Sequence, residues 1–394
     1  MAEWPVRELG DLCSRITVGH VGSMASRYVP RGVPFLRSQN VKPGRIDLSS
    51  LAYIDEGFHV ELSKSQLRAG DLVIVRTGVP GVAAVIPEGI DSLNCADLVI
   101  ARPKPGVNVQ FLCYAINETA GSFIRAHTVG AVQQHFNVAS AKRMTLKLPS
   151  LAEQRAIVEV LGALDDKIGV NARIAASADD LANHIFGRRT RDSRLVALSE
   201  FVEPILGGTP DRKVDSYWGL GIPWASAKDV ANAASGVVAD TAEQITKEAV
   251  NSTRVKPLPE RSVVLTARGT VGAVARLAWP MAINQSCYAF RSSEIPPAIL
   301  FHLVRKGAEN ILGVAHGTVF STVNMKTFDH ILVPMVEVEA RPGLEDDLAC
   351  LHRQIEAHIK ESRVLADLRD TLLPQLMSGK LRVRDAEKIV EDAV

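Results

Sequence analysis

Gly32-Val33-Pro34-Phe35-Leu36-Arg37-Ser38-Gln39-Asn40-Val41 is answered about 190 positions later by Gly221-Ile222-Pro223-Trp224-Ala225-Ser226-Ala227-Lys228-Asp229-Val230. The frame is kept: Gly, an aliphatic, Pro, an aromatic and a closing Val. The polar residues inside it differ. More matches follow in order. Asp71–Gly78 with Gly81 answers Ser262–Gly269 with Gly272, and Asn94-Cys95 answers Asn284-Gln285. Gly130-Ala131-Val132 with Asn137 answers Gly317-Thr318-Val319 with Asn324, and Lys147-Leu148-Pro149 answers Leu332-Val333-Pro334. So long a period marks a duplicated domain, because solenoid units run about 20–50 residues. Two copies of one scaffold with different polar contents look like readers of two different messages.

Each copy is a mixture of short β-branched runs, such as Leu72-Val73-Ile74-Val75, and turn clusters, such as Lys42-Pro43-Gly44. That texture predicts short strands, with helices near Val109–His127 and Pro297–Ile311. After each copy the texture changes. Ser150-x-x-Glu153 is a capping box, in which the hydroxyl takes one free helix amide and the carboxylate another. Ile157, Leu161, Leu164, Ile168, Asn171, Ala175, Ala178, Ala182 and Ile185 then recur at steps of four and three, a heptad seam with one polar insert. A second seam has Leu348, Leu351, Ile355, Ile359, Ser362, Leu365, Leu368 and Leu372, ending at Pro374 and Gly379. Neither seam is stable alone in water, so each rod is expected to pack on the other. The rods run antiparallel if the two globular regions sit at opposite ends.

The 394 residues suffice for two to four domains, and 46% hydrophobic residues suffice for ordinary cores. The N-terminus lacks a basic, then apolar, signal pattern, and no run approaches the roughly 20 apolar residues of a membrane span. Five scattered cysteines without C-x-x-C spacing predict reduced thiols in the cytoplasm and no zinc site. The net charge of +1 hides a basic first copy and acidic rods. That division suits an anionic partner for the globular regions and a protein partner for the rods. Charge alone leaves the partner open.

Catalytic signatures are absent from the sequence. Ser378-Gly379-Lys380 lacks the upstream glycine spacing of a phosphate-binding loop. There is no Gly-x-Ser-x-Gly, no His-Glu-x-x-His and no Asp/Asn-Pro-Pro-aromatic motif. A binding protein is favoured. A protein–protein scaffold with two β-rich adaptor modules and an enzyme with a dispersed site, such as a metal nuclease, stand beside it.

The plan resembles a known family. The first rod opens Leu148-Pro149-Ser150-Leu151-Ala152-Glu153-Gln154-Arg155-Ala156-Ile157, and the second closes Leu372-Leu373-Pro374-Gln375-Leu376-Met377-Ser378-Gly379-Lys380-Leu381. Together these resemble the specificity (S) subunits of type I restriction–modification systems, over essentially the whole chain. One departure stands out: the second rod opens Val338-Glu339-Ala340-Arg341-Pro342-Gly343 in place of the Glu-Gln-x-x-Ile start. The resemblance implies an α+β fold of two mixed α/β target recognition domains. They are separated by two long helices packed as an antiparallel coiled coil, with an internal pseudo-two-fold repeat. The expected map is 1–149 first recognition domain, 150–187 first spacer helix, 188–194 basic linker, 195–336 second recognition domain, 337–381 second spacer helix region and 382–394 tail.

The resemblance also implies partners. Each domain reads one half of a split sequence in double-stranded DNA, and the helices hold two methyltransferase (M) subunits. S-adenosylmethionine is then expected on those subunits. ATP and Mg are expected on restriction (R) subunits where the system has them. No cofactor, metal or catalytic residue is expected in this chain, and no membrane partner. Readers on one face of B-DNA stand about one turn, roughly 34–36 Å, apart. Rods of about 36 residues, roughly 54 Å long, suit such a ruler.

Base readout needs side chains with paired donors and acceptors, such as Arg, Lys, Asn and Gln. Those types sit where the copies diverge: Arg37, Ser38, Gln39, Asn40, Gln133, Gln134 and His135 in the first, and Ser226, Lys228, Asp229, Ser321 and Thr322 in the second. Arg76 with Thr77 and Arg268 with Thr270 lie at strand ends beside glycine turns, where a backbone can approach a phosphate. Asn137 and Asn324 are the same in both copies, which suggests a turn role rather than specificity.

Overall fold

The computed structural model describes residues 4–126, 136–314 and 323–393. It divides into two units, Met1–Asp165 with Asp367–Val394, and Asp166–Ala366. Each unit therefore holds one copy of the repeat and a part of each rod.

In the first unit, Leu72–Val75 is wholly buried, as expected of a strand covered on both faces. Its antiparallel sheet has the order Cys13–Val18, Leu98–Pro103, Leu72–Val75, Ala83–Val85. Helix Val109–Ala126 covers it. The Asn117 amide clips the edge strand, accepting from the Ala83 amide and donating to the Ala83 carbonyl, both at 2.9 Å. A second sheet orders Ala52–Ile54, Tyr28–Leu36, Leu93–Cys95 and Gln66–Leu67. Leu36, Val73, Val75, Leu93, Cys95 and Ile100 form a core cluster from strands of both sheets.

The second unit repeats this plan. Val263–Thr266 lies between Cys287–Arg291 and Val274–Leu277. Trp218–Ala225 pairs in parallel with Ala282–Ile283, as Tyr28–Leu36 does with Leu93–Cys95. Helix Pro297–Val314 answers Val109–Ala126.

The ladders correct two of the sequence matches. Asn94 stands opposite Phe35, and Ala282 stands opposite Trp224, the counterpart of Phe35. Asn94-Cys95 therefore answers Ala282-Ile283, not Asn284-Gln285. The second copy also has one extra residue between this pair and Cys287, which stands where Leu98 stands. Likewise Leu146 opposite Arg7 answers Val333 opposite Val196. Pro149 thus answers Val336, and the Leu-Pro and Val-Pro matches are two residues out of register. Helix and strand periods tolerate such slips in a sequence comparison; hydrogen-bond ladders do not.

The first rod is helix Leu151–Arg189, and the second is Arg341–Met377, preceded by a single 3-10 turn at Val338–Ala340. Ile157, Leu161, Leu164, Asn171, Ala175, Ala178 and Ala182 are buried along the first, and Leu348, Ile355, Leu365 and Leu372 along the second. Ile168, Leu351, Ile359, Ser362 and Leu368 are partly exposed. At the end of the first seam Phe186 takes the buried place expected of Ile185. A straight helix drifts by about 20° per heptad against a 3.5-residue repeat, so the inward position moves on by one. The second helix also runs through Pro374, where a stop was expected. Proline so near the C-terminus removes one intrahelical bond. The stop is Gly379 at φ +71°, with the Gly379 amide on the Leu376 carbonyl and the Lys380 amide on the Gln375 carbonyl.

Inside the second unit the rods pair antiparallel. Lys167 meets Glu361 at 3.2 Å, Asn171 meets Glu361 and His358, and Arg189 meets Asp347 at 3.5 Å. Each rod start is locked by one side chain. Gln154 donates to the Pro149 carbonyl and accepts from the Asn108 amide, both at 2.9 Å. In the second rod Arg341 does this work, donating to the Val336 carbonyl at 3.0 Å and the Glu294 carbonyl at 3.1 Å. Val336 answers Pro149, so the departure from Glu-Gln-x-x-Ile preserves the joint with different chemistry.

Candidate nucleic-acid interface

Backbone hydrogen bonds gather the divergent segments at one end of each copy. In the first, the Ala96 amide meets the Leu36 carbonyl, the Asp97 amide the His20 carbonyl, and the Phe136 amide the Arg76 carbonyl. His20, Arg37, Arg76, Asp97 and Phe136 therefore share a locality. In the second, the Asn284 amide meets the Ala225 carbonyl, the Ala267 amide the Ser286 carbonyl, and the Val323 amide the Ala267 carbonyl. Gln133, Gln134, His135, Ser321 and Thr322 lie outside the described residues; Phe136 and Val323 follow them in sequence.

The sequence-selected residues divide into two kinds. Asn40 is fully buried and spent on its own loop. Its Oδ1 accepts from the Arg37 amide at 3.0 Å, and its Nδ2 donates to the Asp47 and Ser50 carbonyls. Asp229 does the same at the equivalent position, accepting from the Ser226 amide and hydroxyl at 2.8 and 2.7 Å. Asn40 holds the turn with no exposed edge left for a base, which corrects its selection; Asp229 holds the equivalent turn and stays partly exposed. Ser226 is the other half of that box. Arg37 is half-buried. Its Nη2 donates to the Ser50 carbonyl, and its guanidinium lies 5.8 Å from the Tyr28 ring centre. Ser38 is partly exposed, and Gln39 and Lys228 are exposed.

Arg76 and Arg268 are not equivalents. The partners of Phe136 and Val323 show that Arg76 answers Ala267, so Arg268 answers Thr77. Arg76 is neutralised by Asp97, Nη1 to Oδ1 at 2.7 Å, and the Thr77 hydroxyl donates to Oδ2 at 2.8 Å. Asp97 is held in the left-handed region at φ 53°, where a non-glycine residue is strained. Arg268 and Thr270 are exposed, and Arg268 has no ion pair among the described residues.

Reading by sequence missed Asp97, which stands where the second copy has Gln285 and Ser286. The mistaken register had matched Gln285 to Cys95. With the ladder register, Asp97 and Gln285 are a divergent polar pair, the signal used elsewhere. It also missed Arg212, which stacks 3.8 Å from the Trp218 ring centre and pairs with Glu243. That pairing pushes the arginine pKa up and the carboxylate pKa down. Asn137 and Asn324 cap the turns that follow Phe136 and Val323, Oδ1 accepting from the Ser140 and Lys326 amides.

The family model described as the type I restriction modification DNA specificity domain matches residues 1–178 and again 191–341. The chain belongs to this family. A protein named as the MjaX type I restriction enzyme specificity subunit, from Methanocaldococcus jannaschii, is 21% identical over 97% of this chain and 94% of its own length. The MjaIX specificity subunit of the same organism is 25% identical over 45% of this chain and 42% of its own. The S subunit of a type I system from M. genitalium shares the fold, with a TM-score of 0.57, 14% identity and coverage of 95% of this chain and 96% of that one. The molecule is thus a type I specificity subunit with two recognition domains, and specificity subunits of such complexes act with other subunits and DNA. The protein–protein scaffold reading is not favoured. No helix among the described residues is long and apolar enough to cross a membrane.

Proposed function

We propose that each recognition domain reads one half of a bipartite, asymmetric DNA target, and that the rods dock two methyltransferase subunits and set the unread spacer. The observation that carries this is the gathered end of each copy. The backbone bonds there repeat, while the polar side chains do not: Ser38, Gln39 and Asp97 with Arg76 in one, Lys228, Gln285 and Arg268 in the other. A conserved frame with divergent donors and acceptors is what two readers of different bases require.

Within it, exposed Gln39 and Lys228 are the base-reading candidates. Arg268 is a phosphate contact, and Arg76 is a positioned group whose charge Asp97 balances. Gln133, Gln134, His135, Ser321 and Thr322 join by sequence. The chain itself catalyses nothing. S-adenosylmethionine, ATP and Mg serve the partner subunits, including restriction subunits where the system has them, and the complex works in the cytoplasm. Exchanging residues 1–149 for another reader tests this. The methylated motif changes in one half-site and keeps the other; a change in both half-sites overturns the reading. Purified free of partners, the chain shows no methyltransferase, nuclease or ATPase turnover.

A further inference from the structure

Within the second unit, a cavity of about 80 Å³ lies between the recognition domain and the second rod, walled by Arg261, Arg276, Ala298, Glu345, His352 and Arg353. A single water needs about 10–15 Å³ by the same kind of measure. The cavity therefore has room for a small polyatomic ion.

One of its walls is Arg276, only 2% exposed, on strand Val274–Leu277. Nη1 donates to Glu356 at 2.9 Å, and the Phe301 ring centre lies 4.9 Å from the guanidinium carbon. Nε and Nη2 are buried without a hydrogen-bond partner. Those two nitrogens form the side-on edge of the guanidinium, the fork that matches two oxygens of an oxyanion. Buried guanidinium N–H groups left unmatched are costly.

The surrounding charge points the same way. Arg261 bonds the other oxygen of Glu356 at 3.1 Å, and exposed Arg353 has no ion pair among the described residues. Glu356 thus answers two guanidiniums. Glu345 is spent on the start of helix Pro297–Val314, accepting from the Ala298 and Ile299 amides at 3.1 and 3.0 Å. His352 is neutral and adds no further positive charge: burial first, then Arg276 and its neighbours, hold its pKa down to about 2. The fold does not demand this arginine. Val85 opposite Leu72 answers Arg276 opposite Val263, so the first copy builds the same strand with an aliphatic residue.

We propose that this cavity binds a small tetrahedral oxyanion of the phosphate class, held side-on by Arg276 and flanked by Arg261 and Arg353, joining the second recognition domain to its rod. Inorganic phosphate is the probe. The full-length chain is titrated with it against chloride at matched ionic strength, following thermal denaturation and the ³¹P linewidth. Phosphate raises Tm saturably and broadens its own resonance, and Arg276→Met loses both. Arg353→Ala, at an exposed position, weakens the apparent affinity at least about tenfold, as expected for a lost charged hydrogen bond. That variant decides the matter if Arg276→Met does not fold. Adding duplex DNA of unrelated sequence distinguishes the sources. Displacement of phosphate assigns the site to a backbone phosphodiester, and persistence assigns it to the free ion. Equal behaviour in phosphate and chloride, or a wild-type response in Arg353→Ala, overturns the proposal.

Discussion

Asn40 and Asp229 are types that recognise adenine or cytosine, at positions where the copies differ, yet each is spent on the amide three residues earlier. Sequence cannot separate a turn-holding amide or carboxylate from a base-reading one, because both need the same donors and acceptors in the same loops. Exposure separates them, and among the described candidates leaves Gln39, Lys228, Arg268 and Thr270. Arg268→Ala should weaken duplex binding almost equally for all sequences and reduce the slope of log K against log salt by about 1. Gln39→Ala should relax one position of one half-site, costing about 1–3 kcal/mol there. Binding titrations over a panel of single-base variants at several salt concentrations check both.

The buried histidines of the second unit also act at this scale. Asn183 Oδ1 can only accept, so His302 donates from Nδ1. Its Nε2 then accepts from Nε2 of His352 at 3.1 Å. Burial is the first cause that holds the His302 pKa down to about 3 and that of His352 to about 2, from an ordinary 6.5. Above about pH 6.5 neither folded nor unfolded chain carries these protons, and the pair contributes in full. As pH falls below that value, the unfolded chain takes up protons that the folded chain refuses. Stability therefore drops toward about pH 3, by up to about tenfold in the unfolding constant per pH unit for each histidine. Denaturant titrations across this window, with His352→Leu giving a shallower fall, test it.

At the scale of elements, the rods, the main strands and the two helices Val109–Ala126 and Pro297–Val314 were legible, because long periodic stretches carry their own signal. Register was not. A polar match two positions out of register before Cys287 hid Asp97 behind it. Arg341 was equally hidden, since nothing in its type announces that it replaces Gln154 at a rod start. Asn171 was visible as a polar residue in an apolar seam, and it is fully buried, with Glu361 at 2.9 Å and His358 at 3.1 Å. Asn171→Ala should cost about 0.5–1.5 kcal/mol for each of the two hydrogen bonds lost, Glu361 keeping its contact with Lys167 at 3.2 Å. With His358→Ala added, the total should fall short of the sum by at least about 0.5 kcal/mol. Additive losses in a denaturant double-mutant cycle would show that the pair does not act as a unit.

At the scale of the whole molecule, the chain spends one fold twice and joins the copies by helices of 39 and 37 residues. If the rods set the distance between readers, four residues inserted near Asn171 add roughly 6 Å and advance the helix by close to one turn, about 400°. At about 3.4 Å per base pair, the spacer should lengthen by one to two base pairs with both half-sites unchanged. The same motif shortened or unchanged in an active complex would separate spacer length from rod length. The most direct test of the account comes before any mutation: sequencing the methylated bases in a host carrying this chain and its methyltransferase. Two readers on a fixed frame predict a bipartite, non-palindromic motif with an unread gap. A continuous or palindromic motif would contradict it.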